Sequence, residues 1–330
     1  MDIVSILVSK TIVYAIPLLL GALAGMFSER SGIINIALEG IMVFGSLFAA
    51  LFLTRGIMDS TLAATHPQFV VFLAILVAGI SGGVYSLIFG FAAIKLKANQ
   101  VISGTALNIF APAFAILLAY SVISLGVSSI RLPRGIVMSP EIFGLTIDSM
   151  PRWVYTMFFS SLYLTTPISI IILIIAYITL YKTKFGLRLR ACGEHPQAAD
   201  SVGIKVVRMR YIGVFISGIL AGIGGFAFAM ANGSNHEPDV LGYGFLALAV
   251  MIFGNWKPFK ILFGALFFSL FKTIAVFAST LSFLPSFGLV KVDNLYKTLP
   301  YIITLIVLAF TSKKSRAPKA EGIPYDPGQR

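Results

Sequence analysis

The chain has 330 residues, of which 58% are hydrophobic and only 12% are charged, and its mean hydropathy is +0.93. These values exclude a soluble globular domain and predict an integral membrane protein that crosses the bilayer several times. The net charge of +12 would suit nucleic-acid binding, but most of the basic residues lie in loops that one topology places on one side. We therefore interpret the positive excess as a sign of topology.

Apolar runs taken in chain order predict an all-α polytopic integral membrane protein with about nine transmembrane helices, within a range of roughly 8–10. The runs cover residues 3–26, 33–53, 68–96, 101–125, 164–181, 211–231, 240–253, 261–281 and 298–311. Residues 126–163 are interpreted as an outer loop that includes a piece lying on the membrane surface. Residues 1–312 make up the transmembrane domain, and the polar residues 313–330 are expected to form a disordered cytoplasmic tail.

The basic loop at residues 182–210 sets the orientation, because short membrane loops rich in Lys and Arg face the cytoplasm. Alternating sides from this loop places the N-terminus outside and the C-terminus in the cytoplasm. The protein is therefore expected to be a multi-pass protein of the cytoplasmic (inner) membrane.

A small helix is predicted in the middle of that loop. Gly193 is expected to break the preceding chain, Pro196 suits a first helical turn, and Gly203 is a natural stop. Ala198, Ala199 and Val202 would give this solvated helix an apolar face, which suits docking into a groove of another protein. The alternative is an ordinary loop whose charges only fix the topology.

Among the ionisable residues within the predicted spans, Glu39 and Lys272 are the functional candidates, because charged groups inside a membrane are unfavourable and usually functional. Lys10 lies near the start of its span, where its side chain can reach outward. Asn35 lies four residues before Glu39, so the two are expected to share a helix face. Candidates for a polar translocation path are Asn35, Glu39, Asn99, Gln100, Asn108 and Lys272. The alternative roles are a structural ion pair for the charged residues and interhelical hydrogen bonds for the amides.

Several enzyme classes lack their residues in this sequence. There is no Walker A motif, so ATP hydrolysis would have to come from a separate subunit. The three histidines do not have the spacing of metal ligands; His66 and His236 are assigned to outer loops, and His195 to the basic loop. Cys192 is the only cysteine. We therefore expect no catalytic site, no bound metal and no cofactor.

Four stretches resemble the permeases of bacterial ABC importers. They are FSERSGIINIALEG from Phe27, NQVISGTALNI from Asn99, LRLRACGEHPQAADSVGIKVVRMRY from Leu187 and GYGFLALAVMIFGNWKP from Gly242. The resemblance covers nearly the whole chain and is to the branch shared by simple-sugar, branched-chain amino-acid and nucleoside uptake systems. The FSERSG segment is most similar to the second permease of general nucleoside importers.

That resemblance implies a transmembrane permease domain that translocates nucleosides by alternating access. It also implies three protein partners: an ABC ATPase subunit, a second related permease forming a heterodimer, and an extracytoplasmic substrate-binding lipoprotein. The residues that match the family's coupling helix, which engages the ATPase, are Gly193, Glu194, Ala198, Ala199 and Gly203, with Pro196 at its first turn. Permeases for simple sugars such as ribose, or for branched-chain amino acids, are the alternatives within the branch.

Overall fold

A computed structural model describes residues 2–56, 61–123, 129–132, 137–138, 140, 150–278, 298, 302–303, 305–306, 309 and 316–327. Its helices are α1 (Asp2–Glu29), α2 (Leu38–Leu51), α3 (Thr61–Thr65), α4 (Pro67–Gly90), α5 (Gln100–Ile123), α6 (Arg152–Val154), α7 (Thr165–Lys182), α8 (Lys184–Glu194), α9 (Pro196–Ser201), α10 (Val206–Ala231), α11 (Tyr243–Phe253) and α12 (Pro258–Val276). Single π-helical turns extend α2, α4 and α6, through Phe52–Gly56, Phe91–Lys95 and Tyr155–Phe159 respectively. Strands β1 (Ile130–Arg131) and β2 (Asn235–His236) pair antiparallel.

The fold is that of an all-α polytopic membrane protein. In the described part of the chain, seven helices are long and apolar enough to cross a membrane, and they coincide with seven of the predicted spans. The predicted span at 240–253 is instead the shorter helix α11, with 11 residues. The predicted span at 298–311 lies mostly outside the described residues, as does most of the predicted outer loop 126–163.

Helix α10 is the centre of the bundle and packs against α1, α2 and α4. Its glycines permit direct contact between backbones: a Cβ on Gly222 would overlap the carbonyl oxygen of Ala78, and one on Gly225 would overlap that of Met42. Lipid gives helices no hydrophobic reason to associate, so such close packing of small residues contributes much of their cohesion. The glycines of α10 therefore serve the packing of the bundle.

One face of the bundle, here called the basic face, carries the turn after α1, the helices α8 and α9, and residues 316–327. The amide of Ala320 donates to the carbonyl of Gly193 at 2.8 Å, and the amide of Gly322 donates to the carbonyl of Gly32 at 3.1 Å. Arg210, only 1% exposed, donates from Nη1 to the carbonyl of Ile323 at 3.0 Å. The expectation of a disordered tail is therefore wrong for residues 316–327, because a buried cation and free backbone carbonyls on the body hold this segment.

The chain between α10 and α11 folds into the bundle. His236 in β2 is 0% exposed, and its Nδ1 lies 2.8 Å from Ser46 Oγ on α2. Irregular backbone is tolerated inside a membrane protein where other protein groups satisfy it, and the β1–β2 pairing does so here. Burial lowers the pKa of His236 to about 4, so the ring is neutral at physiological pH. Its assignment to an outer loop did not predict that this side chain is buried against α2.

Candidate functional site

The basic loop contains two helices, α8 and α9, separated by His195. The predicted break at Gly193 is wrong, since this residue lies in the last turn of α8. Its missing side chain serves packing: a Cβ there would lie 2.5 Å from the carbonyl oxygen of Arg30. Thr183 starts α8 by accepting a hydrogen bond from the amide of Gly186 at 3.2 Å, a capping signal that could have revealed this helix in the sequence.

Helix α9 matches the predicted docking helix closely. It runs from Pro196 to Ser201, and Gly203 follows with φ +83°, a left-handed conformation that glycine adopts without strain. Ala198 is exposed and Val202 is 75% exposed, whereas Ala199 turns inward and is buried. The solvent-facing apolar part of the helix is therefore narrower than predicted.

Glu194 is the last residue of α8 and faces the turn that follows α1. Its carboxylate is 3.8 Å from Nη1 of Arg30, and its side chain is 42% exposed. Such a partly exposed pair contributes little stability, of the order of 0–1 kcal/mol. Glu194 is therefore accessible to a partner.

A residue that sequence reasoning missed, Trp256, connects this region to α11. Its indole Nε1 donates to Oε2 of Glu29 at 2.6 Å, and its carbonyl accepts from Tyr181 Oη at 3.2 Å and Arg30 Nη2 at 3.4 Å. Tyr181 ends α7 just before the basic loop, so Trp256 joins α1, α7 and the turn after α11. In the sequence, the only sign of this role was a tryptophan directly after Gly254 and Asn255.

At its other end, α11 begins inside the bundle and Glu39 caps it. Oε1 of Glu39 accepts from the amide of Gly242, and Oε2 accepts from the amide of Gly244, both at 2.7 Å. A carboxylate at a helix N-terminus satisfies free amides and interacts favourably with the helix dipole. The 11 residues of α11 span about 16 Å, roughly half the thickness of the hydrocarbon core, so this helix is too short to cross a bilayer by itself.

Lys272 also contacts the first turn of α11, with its Nζ 5.6 Å from the centroid of the Tyr243 ring. A cation at this distance from an aromatic face is attracted by the ring quadrupole. The structure thus brings the two predicted intramembrane ionisable residues, Glu39 and Lys272, to the same turn, each with a partner.

The four amide candidates are bound within the chain. Contrary to the prediction, Asn35 does not share a helix face with Glu39, because α2 begins only at Leu38 and Asn35 lies before it. There the Nδ2 of Asn35 donates to Ser217 Oγ at 2.9 Å. Gln100 Oε1 accepts from the amide of Ile34 at 2.8 Å. Asn108 bonds the amide of Gly40 and the carbonyl of Ile36, each at 2.8 Å.

These bonds explain how the turn before α2 remains irregular inside the bundle, since side-chain amides replace its missing helical hydrogen bonds. Asn99 is different, because its Oδ1 accepts from the amides of Val101 at 2.9 Å and Ile102 at 3.2 Å and so caps α5. Asn35, Gln100 and Asn108 therefore make the interhelical hydrogen bonds that the sequence left open as their alternative role, whereas the capping role of Asn99 was not predicted.

Among the residues described, no group of three or more His, Cys, Asp or Glu could hold a metal ion. Cys192 is buried beside Arg210, and burial raises the pKa of its thiol, which makes it unreactive.

Comparison with known proteins identifies the family. Residues 7–308 match the family described as branched-chain amino acid transport system / permease component. The guanosine ABC transporter permease protein NupQ of Bacillus subtilis is 40% identical, with 100% of this chain and 99% of that protein covered. The nucleoside ABC transporter permease protein NupC of Lactococcus lactis is 35% identical over 97% of this chain and 96% of its own.

A more distant relative is the putative glucose ABC transporter permease protein TsgC13 of Haloferax volcanii, 28% identical over 92% of this chain and 91% of its own. No solved structure matches the chain. The family match covers most of the sequence, and two relatives above 30% identity span nearly all of it. The chain belongs to the permease family of branched-chain amino acid type transport systems.

Proposed function

We propose that this chain is the translocating subunit of an ATP-driven importer of nucleosides. The observation that carries the proposal is its likeness, along the whole chain, to relatives named as guanosine and nucleoside permeases, at 40% and 35% identity. The putative glucose permease is less similar, at 28%. A permease subunit is not itself an enzyme, and a separate ATPase subunit would hydrolyse the ATP.

Helix α9 is the surface proposed to receive that ATPase subunit. The support is an exposed helix on the basic face with Ala198 and Val202 outward, next to the accessible carboxylate of Glu194. Gly193, Pro196 and Ala199 would hold the helix in place and Gly203 would end it. If this face lies in the cytoplasm, residues 316–327 lie there too and the N-terminus is outside.

A second related permease and an extracytoplasmic binding lipoprotein complete the proposed importer. Support for two permeases comes from Lactococcus lactis, whose NupC and NupB both resemble this chain, NupB at 26% identity over 78% of it. A heterodimer of related permeases with a path at its seam is the arrangement we propose.

The path is proposed to run past the first turn of α11. Transporters commonly place substrate sites near mid-membrane depth at the ends of interrupted helices. Glu39 and Lys272 flank that turn here, while Asn35, Asn99, Gln100 and Asn108 would hold the surrounding backbone. Alternating access would follow if movement of α9 shifts α11 relative to Glu39.

The substrate is tested with the reconstituted importer, with binding protein and both permeases present. We expect guanosine and other nucleosides to stimulate ATP hydrolysis, and glucose and leucine to have no effect. Stimulation by glucose alone would replace the nucleoside proposal with the sugar alternative, for which the glucose relative is the support.

The docking role is tested with Gly203→Pro and Glu194→Ala. Proline cannot adopt the φ of +83° at position 203, so α9 should lose its end and its orientation. Both variants should insert into the membrane normally but co-purify with less ATPase subunit. Normal co-purification of the ATPase with both would contradict the docking role.

A further inference from the structure

A groove of about 660 Å³ opens on the basic face next to Glu194. Its charged lining residues are Arg30, Lys257, Arg316 and Lys319, against the single carboxylate of Glu194. Three segments far apart in the chain meet here: the turn after α1, the turn between α11 and α12, and the start of the packed tail. The groove is therefore strongly positive.

The walls of the groove are held by specific contacts. Asn255 and Trp256 adopt left-handed conformations with φ of 51° and 52°, which non-glycine residues keep only where the surroundings hold them. The amide of Arg316 donates to Oδ1 of Asn255 at 3.1 Å, which attaches the tail to this turn. Arg30 Nε has no hydrogen-bond partner among the residues described. The backbone on these sides of the groove is therefore held in place, while the side chains of Lys257, Arg316 and Lys319 are exposed.

Carboxylates and phosphates are the groups that such a cluster of Arg and Lys recognises. Lipid headgroups could supply phosphates only at the perimeter of the bundle. Arg30, however, directly follows α1, which packs against α7, α10, α11 and α12 and so lies in the interior. An acidic segment of a protein that docks on the basic face reaches this position more easily than a lipid does.

We propose that this groove is a second part of the ATPase docking surface and receives an acidic segment of the ATPase subunit. The inference rests on the proposed function, because Glu194 lines the groove and lies only two residues before α9, so a protein seated on α9 would also reach the groove. The packed tail is then part of the docking surface, since Arg316 and Lys319 form one wall of the groove.

The test measures the affinity of the importer's own ATPase subunit for the permease pair in nanodiscs, at low and moderate salt. Lys257→Gln and Lys319→Gln should each weaken binding by about 3- to 10-fold at low salt and reduce its salt dependence. Lys184→Gln is the matched control, because Lys184 is exposed on the same face but outside the groove. It should change the affinity less than twofold.

Ala198→Arg separates this inference from the proposed function, since it disrupts the apolar surface of α9 and leaves the groove intact. If it weakens binding while both groove variants bind normally, the groove proposal fails and the docking role of α9 stands. If none of these variants weakens binding, both fail. Loss of binding in the groove variants only when the nanodiscs contain anionic lipid would assign the groove to lipid phosphates and overturn the proposal.

Discussion

Replacement of Glu39 by Gln is the most informative single change in the bundle. Glu39 is 8% exposed, and its two carboxylate oxygens each accept one backbone amide of the first turn of α11, at 2.7 Å. Gln has one acceptor oxygen and one NH₂ group, so it can satisfy only one of the two amides. The other amide would remain buried without a partner.

The magnitude follows from the hydrogen bond that is lost. A hydrogen bond to a charged group contributes about 1.5–3 kcal/mol, so Glu39→Gln should destabilise the protein by about that amount. Glu39→Ala removes both acceptors and should cost about twice as much, roughly 3–6 kcal/mol. In equilibrium terms the Gln variant corresponds to a shift of about 10- to 100-fold.

The assay is thermal unfolding of the detergent-solubilised permease pair, followed by nucleoside uptake in cells. Asp239→Asn is the control. Asp239 Oδ1 accepts from the amide of Leu241 at 2.8 Å in the loop before α11, but this position is exposed, so water can replace the lost hydrogen bond. We expect the order wild type, Asp239→Asn, Glu39→Gln, Glu39→Ala in falling stability. Wild-type melting and uptake in both Glu39 variants would refute the idea that this carboxylate holds the start of α11.

Three further changes test the packing and the basic face. Gly225→Ala should destabilise the bundle by about 1–3 kcal/mol in thermal melts, because the added Cβ would overlap the carbonyl oxygen of Met42. Gly90→Ala is the control and should not destabilise it, since the nearest atom to its Cβ is Val214 Cγ1 at 3.4 Å. Equal melting of the two variants would be evidence against backbone contact at α10. Trp256→Phe should lower the stability of the protein by about 1–3 kcal/mol, because it removes the indole donor to Glu29. Trp153→Phe is the control and should leave the stability unchanged, since Trp153 is 47% exposed. A greater loss of stability in Trp153→Phe would contradict the role of Trp256 in joining these segments. Truncation after residue 315 should speed maleimide labelling of Cys192, because it removes the tail segment whose Tyr325 lies beside this buried thiol. An unchanged labelling rate would mean that the tail does not cover Cys192.

Much of the helical framework could be predicted because hydrophobic length alone determines which runs can cross a bilayer. The short helix α9 could also be predicted, because Pro196 suits its first turn and Gly203 follows its end. Both signals are local: they depend on residues close together in the chain.

The contacts that define the site are not local. The turn before α2 looked like part of a continuous span, because nothing nearby shows that Gln100 and Asn108 would satisfy its backbone. Likewise, the tail looked disordered from its composition, although Arg210 and Gly193 hold it through contacts more than 100 residues away in sequence. Glycines whose absent side chains make room for another segment, such as Gly193, are indistinguishable in sequence from helix breakers.

Import of nucleosides can be measured directly as uptake by cells. Cells that lack this gene are compared with cells in which it is restored, using radiolabelled guanosine, ribose and leucine in parallel. We expect that guanosine uptake alone is lost with the gene and returns with it. Normal guanosine uptake without the gene, together with loss of ribose or leucine uptake, would contradict it.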